Sequence, residues 1–298
     1  MIEKPVLMFG GKGGVGKTTC AGATALHWAR KGFKTLVIST DPTPSLRDIF
    51  EIAPTEKPAK VEENLWLAEL GLAEVKAMWD AKFGREVYEV FSSFVSIEYA
   101  EFVDFITSIL PGLQEEFMVD YIRTLTQNRA YQRIVWDTAP LGQTIHLLNM
   151  PEMLREHLRP APKIYARLKI GGRSKRPILK ILEEWSDLSA EDMEFLRSEV
   201  AFNLVTIPEA LAVRQLDGVF AEFARHGFAF NRVIINNVIR TLDSDFLKTK
   251  GAEQKRYIEL IRGKGIPTIE VPLFPYEIKG TRRLERVGEA LFGQSQNA

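Results

Sequence analysis

Short apolar runs alternate along the chain with longer stretches in which apolar residues recur every three or four positions. The runs that predict strands are residues 6–9, 35–39, 65–70, 134–136, 201–206, 233–238 and 268–271. Strands that alternate with helices in this way are typical of βαβ units. The pattern therefore predicts an α/β fold with a doubly wound, mostly parallel sheet.

Two segments interrupt this alternation. Residues 72–129 and 145–198 show helical periodicity and contain no clear strand. We interpret them as insertions that pack together as a helical subdomain within a single domain of residues 1–298.

The first insertion is richer in apolar residues than a helix with one buried face requires. This surplus lies in residues 91–110, where Glu98, Glu101 and Asp104 share one polar stripe. Two interpretations stay open: the apolar residues form an ordinary core, or part of them forms a surface that a partner covers.

A glycine-rich run lies between the first strand and the first helix. It predicts a phosphate-binding loop, because backbone N–H groups freed by glycine and the start of a helix together attract phosphate oxygens. Lys17 is expected to reach the β- and γ-phosphates of ATP, and the Thr18 hydroxyl to ligate Mg²⁺. The alternative is a glycine-rich turn without nucleotide. The predicted nucleotide contacts are Gly11, Lys12, Gly13, Gly14, Val15, Gly16, Lys17, Thr18 and Thr19.

Two acidic residues follow predicted strands. Asp137 directly follows residues 134–136, as expected of a carboxylate that organises Mg²⁺. Asp41 follows the second strand, where a carboxylate can hold or deprotonate an attacking water. The competing interpretation is that Asp41 and Pro42 only form a turn.

Charge and cysteine content exclude several function classes. Lys+Arg and Asp+Glu both number 39, so the chain lacks the basic excess typical of nucleic-acid-binding proteins. Its one cysteine, Cys20, excludes a disulfide or a cysteine metal cluster within one chain. No apolar run approaches the ~18 residues that span a bilayer, and residues 1–5 do not resemble a signal peptide. We therefore expect a cytoplasmic protein.

A second lysine in the loop, Lys12, resembles the deviant phosphate loop of one ATPase family. That family contains the arsenite-pump ATPase ArsA, the GET-pathway ATPase for tail-anchored membrane proteins, MinD/ParA and the nitrogenase iron protein. In it, this lysine reaches the nucleotide of a dimer partner. The resemblance thus implies a homodimer in which Lys12 acts catalytically in trans; the alternative is a solvated lysine.

Two further segments resemble switch regions of this family. Residues 41–46 resemble its first switch, which implies that Asp41 activates water, although Pro44 replaces the usual histidine. Residues 137–144 resemble the ArsA-type second switch but depart from it at Leu141 and Gln143.

The C-terminal third resembles the ArsA/GET branch. By that resemblance Asn236 reads the adenine, and Pro272 and Phe274 flank it. GET-type ATPases share a zinc between two C-x-x-C pairs, but the matching positions here are Ser244 and Leu247, which cannot bind zinc. We therefore expect ATP and Mg²⁺ as cofactors and no zinc.

Three functions fit these observations. The favoured one is a homodimeric Mg²⁺-dependent ATPase that captures and releases a hydrophobic helical client, such as a tail-anchored membrane protein segment, with a membrane receptor as a further partner. The second is the energising subunit of an anion pump. The third is a nucleotide-dependent switch without a client.

Overall fold

The computed structural model divides the chain into two compact units. It describes residues 4–41, 45–53, 58–92, 96–109, 113–138, 142, 148, 156, 159 and 176–293. The first unit comprises Met1–Glu69, Arg129–Ile145 and Glu199–Ala298, and the second comprises Leu70–Asn128 and His146–Ser198.

The first unit contains an eight-stranded sheet with strand order β3-β4-β2-β5-β1-β6-β7-β8. The strands are β1 (Val6–Gly11), β2 (Thr35–Ser39), β3 (Ala59–Glu62), β4 (Leu65–Glu69), β5 (Arg133–Asp137), β6 (Val200–Thr206), β7 (Phe230–Val238) and β8 (Thr268–Pro272). Every neighbouring pair is parallel except β3 and β4. The predicted α/β fold with a mostly parallel sheet is thus confirmed.

Strand β3 was not expected from the sequence. Its residues, Ala-Lys-Val-Glu, are half-exposed or exposed and form no apolar run. The strand forms because β4 offers it an unpaired edge, on which β3 pairs antiparallel with a register shift. Because such a short strand is stabilised mainly by its hydrogen bonds to β4, its own sequence contains no pattern that predicts a strand.

The described helices follow in chain order. The helices of the first unit are α1 (Lys17–Arg30), α2 (Leu46–Phe50), α8 (Ala210–Arg225), α9 (Asp245–Arg262) and α10 (Gly280–Phe292). The helices of the second unit are α3 (Leu72–Trp79), α4 (Arg85–Ser92), α5 (Tyr99–Ile109), α6 (Leu113–Gln127) and α7 (Arg176–Ser198). A π-helical turn, Asp80–Gly84, joins α3 to α4. None of the helices in the described ranges is long and apolar enough to cross a membrane.

Alternation along the strands decides which helices cover each face of the sheet. Leu7 and Ala201 belong to a core cluster that includes residues of α1, α2 and α10, such as Leu284. Phe202, the next residue of β6, packs edge-on against Phe223 of α8, with ring centroids 5.6 Å apart. Because successive side chains of a strand point to opposite faces, α8 covers the other face.

The second unit is helical in its described part. Of the apolar stretch 91–110, residues 91–92 belong to α4 and residues 99–109 to α5, in which Phe102 is fully buried. The predicted polar stripe is confirmed, since Glu98, Glu101 and Asp104 are exposed.

A buried ion cluster joins α6 to α7 in this unit. Arg123 donates to Asp192 at 2.5 Å, to Glu191 at 2.6 Å and to Asp120 at 2.8 Å. Burial raises the pKa of Asp192 to about 7, although the charge of Arg123 opposes that increase. Since Arg123, Asp120 and Asp192 are all buried, loss of one partner would leave an uncompensated charge inside the unit.

Candidate functional site

The phosphate loop joins the last residue of β1, Gly11, to the first residue of α1, Lys17. Two of its glycines adopt left-handed backbone conformations, Gly14 with φ 79° and Gly16 with φ 92°. Gly16 caps α1, and its carbonyl accepts a hydrogen bond from the Cys20 amide at 3.0 Å. Glycine is needed there because other residues are strained at these angles. The loop therefore presents the first N–H groups of α1, which favour an anion.

The two lysines of the loop differ in exposure. Lys17 is only 7% exposed, and its Nζ donates to the Lys12 carbonyl oxygen at 3.4 Å. Lys17 is therefore folded back over its own loop, where a γ-phosphate would meet it. The Lys12 side chain is exposed, as a role toward a second protomer requires.

Two carboxylates lie at the carboxyl ends of neighbouring strands beside the loop. Asp137 ends β5 and Asp41 follows β2 by two residues, and β5 lies between β2 and β1. Asp137 is 1% exposed; its Oδ2 accepts a hydrogen bond from Ser39 at 3.4 Å, whereas no described residue hydrogen-bonds to its Oδ1.

Burial raises the pKa of Asp137 to about 7. The Thr18 hydroxyl and the charge of Lys17 act in the opposite direction, while the neighbouring charge of Asp41 adds to the increase. These influences show that Thr18, Lys17, Asp41 and Asp137 share one electrostatic environment, as their predicted roles require.

The Asp137 environment fits a magnesium ion. Its Oδ1 is a buried oxygen without a hydrogen-bond partner among the described residues, and the Thr18 hydroxyl lies beside the carboxylate. Mg²⁺ prefers such oxygens and usually takes only one or two protein ligands besides phosphate and water. The described residues contain no cluster of three or more His, Cys, Asp or Glu side chains suited to a metal, which is the number of ligands a protein-only site would need.

Threonines on either side of these acids hold the three strand ends together. The Trp136 indole donates to Thr40 Oγ1 at 3.0 Å, and the Thr40 amide donates to the Asp137 carbonyl at 3.1 Å. Thr138 Oγ1 donates to the Phe9 carbonyl of β1 at 2.8 Å. Sequence reasoning assigned Thr40 and Thr138 no such role, although a hydroxyl residue next to a strand-end acid is a signal for one.

Asn236 contacts the phosphate loop directly. Its Nδ2 donates to the Val15 carbonyl at 2.9 Å. A Cβ on Gly16 would lie 2.2 Å from the same Nδ2, so the amide rests against the bare Cα of that glycine. Asn236 therefore braces the loop, a role that the sequence did not reveal. That it reads adenine stays a prediction.

The residues predicted to flank adenine lie beside the end of β7. Pro272 ends β8, and the amide of Leu273 donates to the Val238 carbonyl at 2.9 Å. Phe274 is partly buried against the core cluster of the first unit. Pro272 thus ends the strand next to that of Asn236 and Phe274 follows it, and their contact with a base stays a prediction.

Residues 4–293 match the family of anion-transporting ATPases. The chain is a member of this family. It is 28% identical to ATPase GET3B of Arabidopsis thaliana over 332 residues, which cover 97% of this chain and 79% of that protein. It is also 28% identical over 299 residues to a protein of Aquifex aeolicus that bears the name arsenical pump-driving ATPase 2, covering 96% and 98% of the two chains.

A Chlorobaculum tepidum protein with the same type of name is 28% identical over 320 residues, which cover 97% of this chain and 76% of that protein. The predicted family and the predicted enzyme class, an ATP hydrolase, are confirmed. The individual site roles of this ATPase stay predictions.

Parts of both predicted switches lie outside the described residues. These are residues 42–44 of the first switch, and residues 139–141 and 143–144 of the second. Ser45, at the end of the first segment, directly precedes α2. The other described positions of the two segments are Asp41, Leu46, Asp137, Thr138 and Gly142.

The two positions that match the zinc-binding cysteine pair form a helix cap in this ATPase. Ser244 precedes α9, and its Oγ accepts a hydrogen bond from the Leu247 amide at 3.2 Å. This bond satisfies one of the free N–H groups at the start of the helix. Gln254 of the same helix accepts from the Ile239 amide at 2.8 Å and donates to the Asn237 carbonyl at 3.0 Å, which holds the chain that follows β7.

Proposed function

We propose that this chain is a homodimeric, Mg²⁺-dependent ATPase that couples ATP binding and hydrolysis to the capture and release of a hydrophobic helical client, such as the membrane segment of a tail-anchored protein. The observation that carries the proposal is how the helical unit is connected to the ATPase unit. Its first segment begins at Leu70, directly after β4, and its second begins at His146, nine residues after Asp137, the acid that ends β5. Both connections thus leave the carboxyl edge of the sheet, where the nucleotide binds.

Each site residue has a distinct task in the proposed reaction. The loop amides and Lys17 hold the β- and γ-phosphates, and Asn236 keeps the loop in shape. Asp137 and Thr18 hold Mg²⁺, which offsets phosphate charge when it is bound. The exposed Lys12 approaches the γ-phosphate of a second protomer, where it stabilises the charge that spreads over the transferring group.

Asp41 orients the attacking water. The water oxygen forms a bond to the γ-phosphorus while the bond from that phosphorus to the β-γ bridging oxygen breaks, and the products are ADP and inorganic phosphate. The half-buried Asp41 carboxylate accepts a hydrogen bond from the water and takes up its proton. Its charge already acts on Asp137, so it lies in the same site.

One ion pair links the first switch to the helical unit's entry point. Arg47 of α2 contacts Glu69, the last residue of β4, with Nε 3.2 Å from Oε2, and its amide donates to Oε1 at 3.1 Å. Glu69 immediately precedes the first segment of the helical unit, and α2 begins at Leu46, the last residue of the switch segment that contains Asp41. A change at the switch is thereby transmitted to the start of that segment.

The experiment measures client capture against nucleotide state. A hydrophobic helical peptide with a photoreactive group is crosslinked to the protein with ATP, with ADP or without nucleotide. We expect capture to depend on the nucleotide. Lys17→Ala removes that dependence because phosphate binding is lost, whereas the control Lys31→Ala, an exposed lysine just after α1, retains it.

Glu69→Gln tests the coupling. We expect it to keep ATP turnover but to weaken the dependence of capture on nucleotide, since the ion pair with Arg47 is lost. Equal capture in all three nucleotide states would contradict the client function. If ATP still changed hydrogen exchange in the helical unit, the chain would be a nucleotide-dependent switch without a client.

The names of two relatives favour a second candidate, the energising subunit of an anion pump. ATPase activity stimulated by an anion other than arsenite would support it. Cys20 is 1% exposed, and burial raises the pKa of its thiol to about 12. Because a metalloid site of three thiols needs accessible thiolates and the chain has one cysteine, this candidate points to an anion other than arsenite.

A further inference from the structure

A cavity of about 460 Å³ lies in the first unit at the end of the sheet opposite the phosphate loop. It is lined by residues of β1, β6 and β7, by α1 and by the end of α10. None of its lining residues is among the predicted nucleotide contacts, although Phe9 in its wall is two residues before Gly11, or roughly 7 Å along the strand. The cavity is therefore separate from the nucleotide site, although β1 and α1 contribute to both.

Most of the cavity wall is apolar and aromatic. Its apolar side chains include Leu7, Phe9, Ile234, Leu291 and Phe292. A volume of this size lies within the range of small-molecule binding sites, which are mostly lined by such side chains with a few polar groups. The wall thus suits the hydrocarbon body of a small organic ligand.

Two asparagines form a fixed polar edge of the cavity. Asn203 is 3% exposed, and its Nδ2 donates to the carbonyls of Met8 at 3.3 Å and Ala201 at 3.2 Å. Its Oδ1 accepts a hydrogen bond from Asn231 Nδ2 at 3.4 Å. The Asn203 amide is therefore held by the strands, and it orients Asn231 at the cavity.

The charged residues that line the cavity are both basic. They are Lys4 and Arg232, and no acidic residue is among the described residues of its wall. Lys4 Nζ donates to the Val200 carbonyl at 3.1 Å. Burial lowers the pKa of Lys4, and the neighbouring Glu199 partly offsets that decrease. A partly desolvated ammonium next to an apolar cavity favours an anionic group, which restores some of the lost solvation energy.

We propose that this cavity binds a small amphipathic carboxylate, with its aryl or alkyl body against Phe9, Ile234 and Phe292 and its carboxylate at Lys4 and Arg232. The positive charges of the lining residues favour a ligand with a carboxylate, and the apolar and aromatic wall favours a ligand with an aryl or alkyl group. The ligand contacts β1 and α1, the two elements that hold the phosphate loop at their other ends.

Calorimetric titration of the full chain with 4-phenylbutyrate tests the proposal, with the uncharged 4-phenylbutan-1-ol as the matched ligand. We expect the carboxylate to bind with a dissociation constant of about 1 mM or lower, and the alcohol to bind at least tenfold more weakly. The double variant Lys4→Gln/Arg232→Gln should reduce the affinity of the carboxylate to that of the alcohol. Arg225→Gln, at an exposed arginine at the end of α8, should leave both affinities unchanged.

A second variant tests the location without removing a charge. Ala229 lies exposed among the residues that line the cavity, so Ala229→Trp adds bulk there without creating a buried misfit. We expect it to weaken binding of both ligands at least tenfold. Decanoate in a parallel titration distinguishes an alkyl from an aryl body.

Three results would overturn the proposal. These are no binding of 4-phenylbutyrate or decanoate at several millimolar, unchanged binding by the Lys4→Gln/Arg232→Gln variant, and displacement of the probe by ATP, which would place it in the nucleotide site. Because the titration does not depend on ATP turnover or client capture, its failure leaves the proposed function intact.

Discussion

The glycines of the phosphate loop allow a graded test of how its shape is held. A Cβ at Gly13 would meet nothing within 4 Å, and its φ is not positive. A Cβ at Gly14 would also be unobstructed, but its φ is 79°. At Gly16 the φ is 92° and a Cβ would lie 2.2 Å from Asn236 Nδ2. Alanine therefore adds no strain at Gly13 and backbone strain at Gly14. At Gly16 it adds backbone strain together with a steric clash.

The expected costs follow from these contacts. Gly13→Ala should change the free energy of unfolding by less than about 0.5 kcal/mol, as is usual for exposed positions. Gly14→Ala should lower it by about 1–2 kcal/mol, the cost of a left-handed conformation for a residue with a Cβ. Gly16→Ala should lower it by about 2–4 kcal/mol, because the displaced Asn236 also loses its hydrogen bond to Val15.

Urea unfolding of the nucleotide-free protein, followed by tryptophan fluorescence, measures these differences, provided that the slope of the transition stays constant across the series. The double variant Gly16→Ala/Asn236→Ala provides the internal check. Without the amide in its path, the added methyl group should cost about as much as it does at Gly14, so the two substitutions should be less than additive. Equal destabilisation by Gly13→Ala and Gly16→Ala, or strict additivity in the double variant, would refute the contact between Asn236 and the loop.

Three further outcomes are expected. Lys12→Ala should keep most of the ATP affinity and lose turnover by several orders of magnitude; turnover at the parent rate would exclude the role in trans. Burial and the charge of Lys31 lower the pKa of His27 to about 4, so the folded state loses stability as pH falls from about 6.5 to 4. The variant His27→Phe, whose ring can keep the stack on Phe292, should lose less stability over this range. Parallel pH dependences of urea unfolding for the two proteins would contradict this. Elemental analysis should find well below one zinc per two chains, and a stoichiometric value would mean that residues other than Ser244 and Leu247 bind the metal.

The pKa effect of His27 has a definite sign. A histidine whose pKa is lower in the folded state binds fewer protons there than in the unfolded state between pH 4 and 6.5. Stability therefore rises with pH across this window and is complete above the unfolded pKa.

The sequence by itself determined the features whose signals are local. Apolar runs and helical periodicity showed seven of the strands, because burial of one strand or one helix face leaves a pattern within a few residues. The glycines and lysines of residues 11–19 predicted the phosphate loop, because its conformation depends on its own backbone. The position of Asp41 and Asp137 after strands placed both acids at one edge of the sheet.

Only the tertiary structure decided the features that depend on residues far apart in the chain. Asn236 and Val15 are 221 residues apart, and their hydrogen bond exists because β7 and the loop end at the same edge of the sheet. Strand β3 exists because β4 leaves an edge unpaired, and Asp137 acquires its raised pKa from burial by neighbouring strands. Strand order, burial and cross-chain contacts are properties of the packed molecule, so no short stretch of sequence carries them.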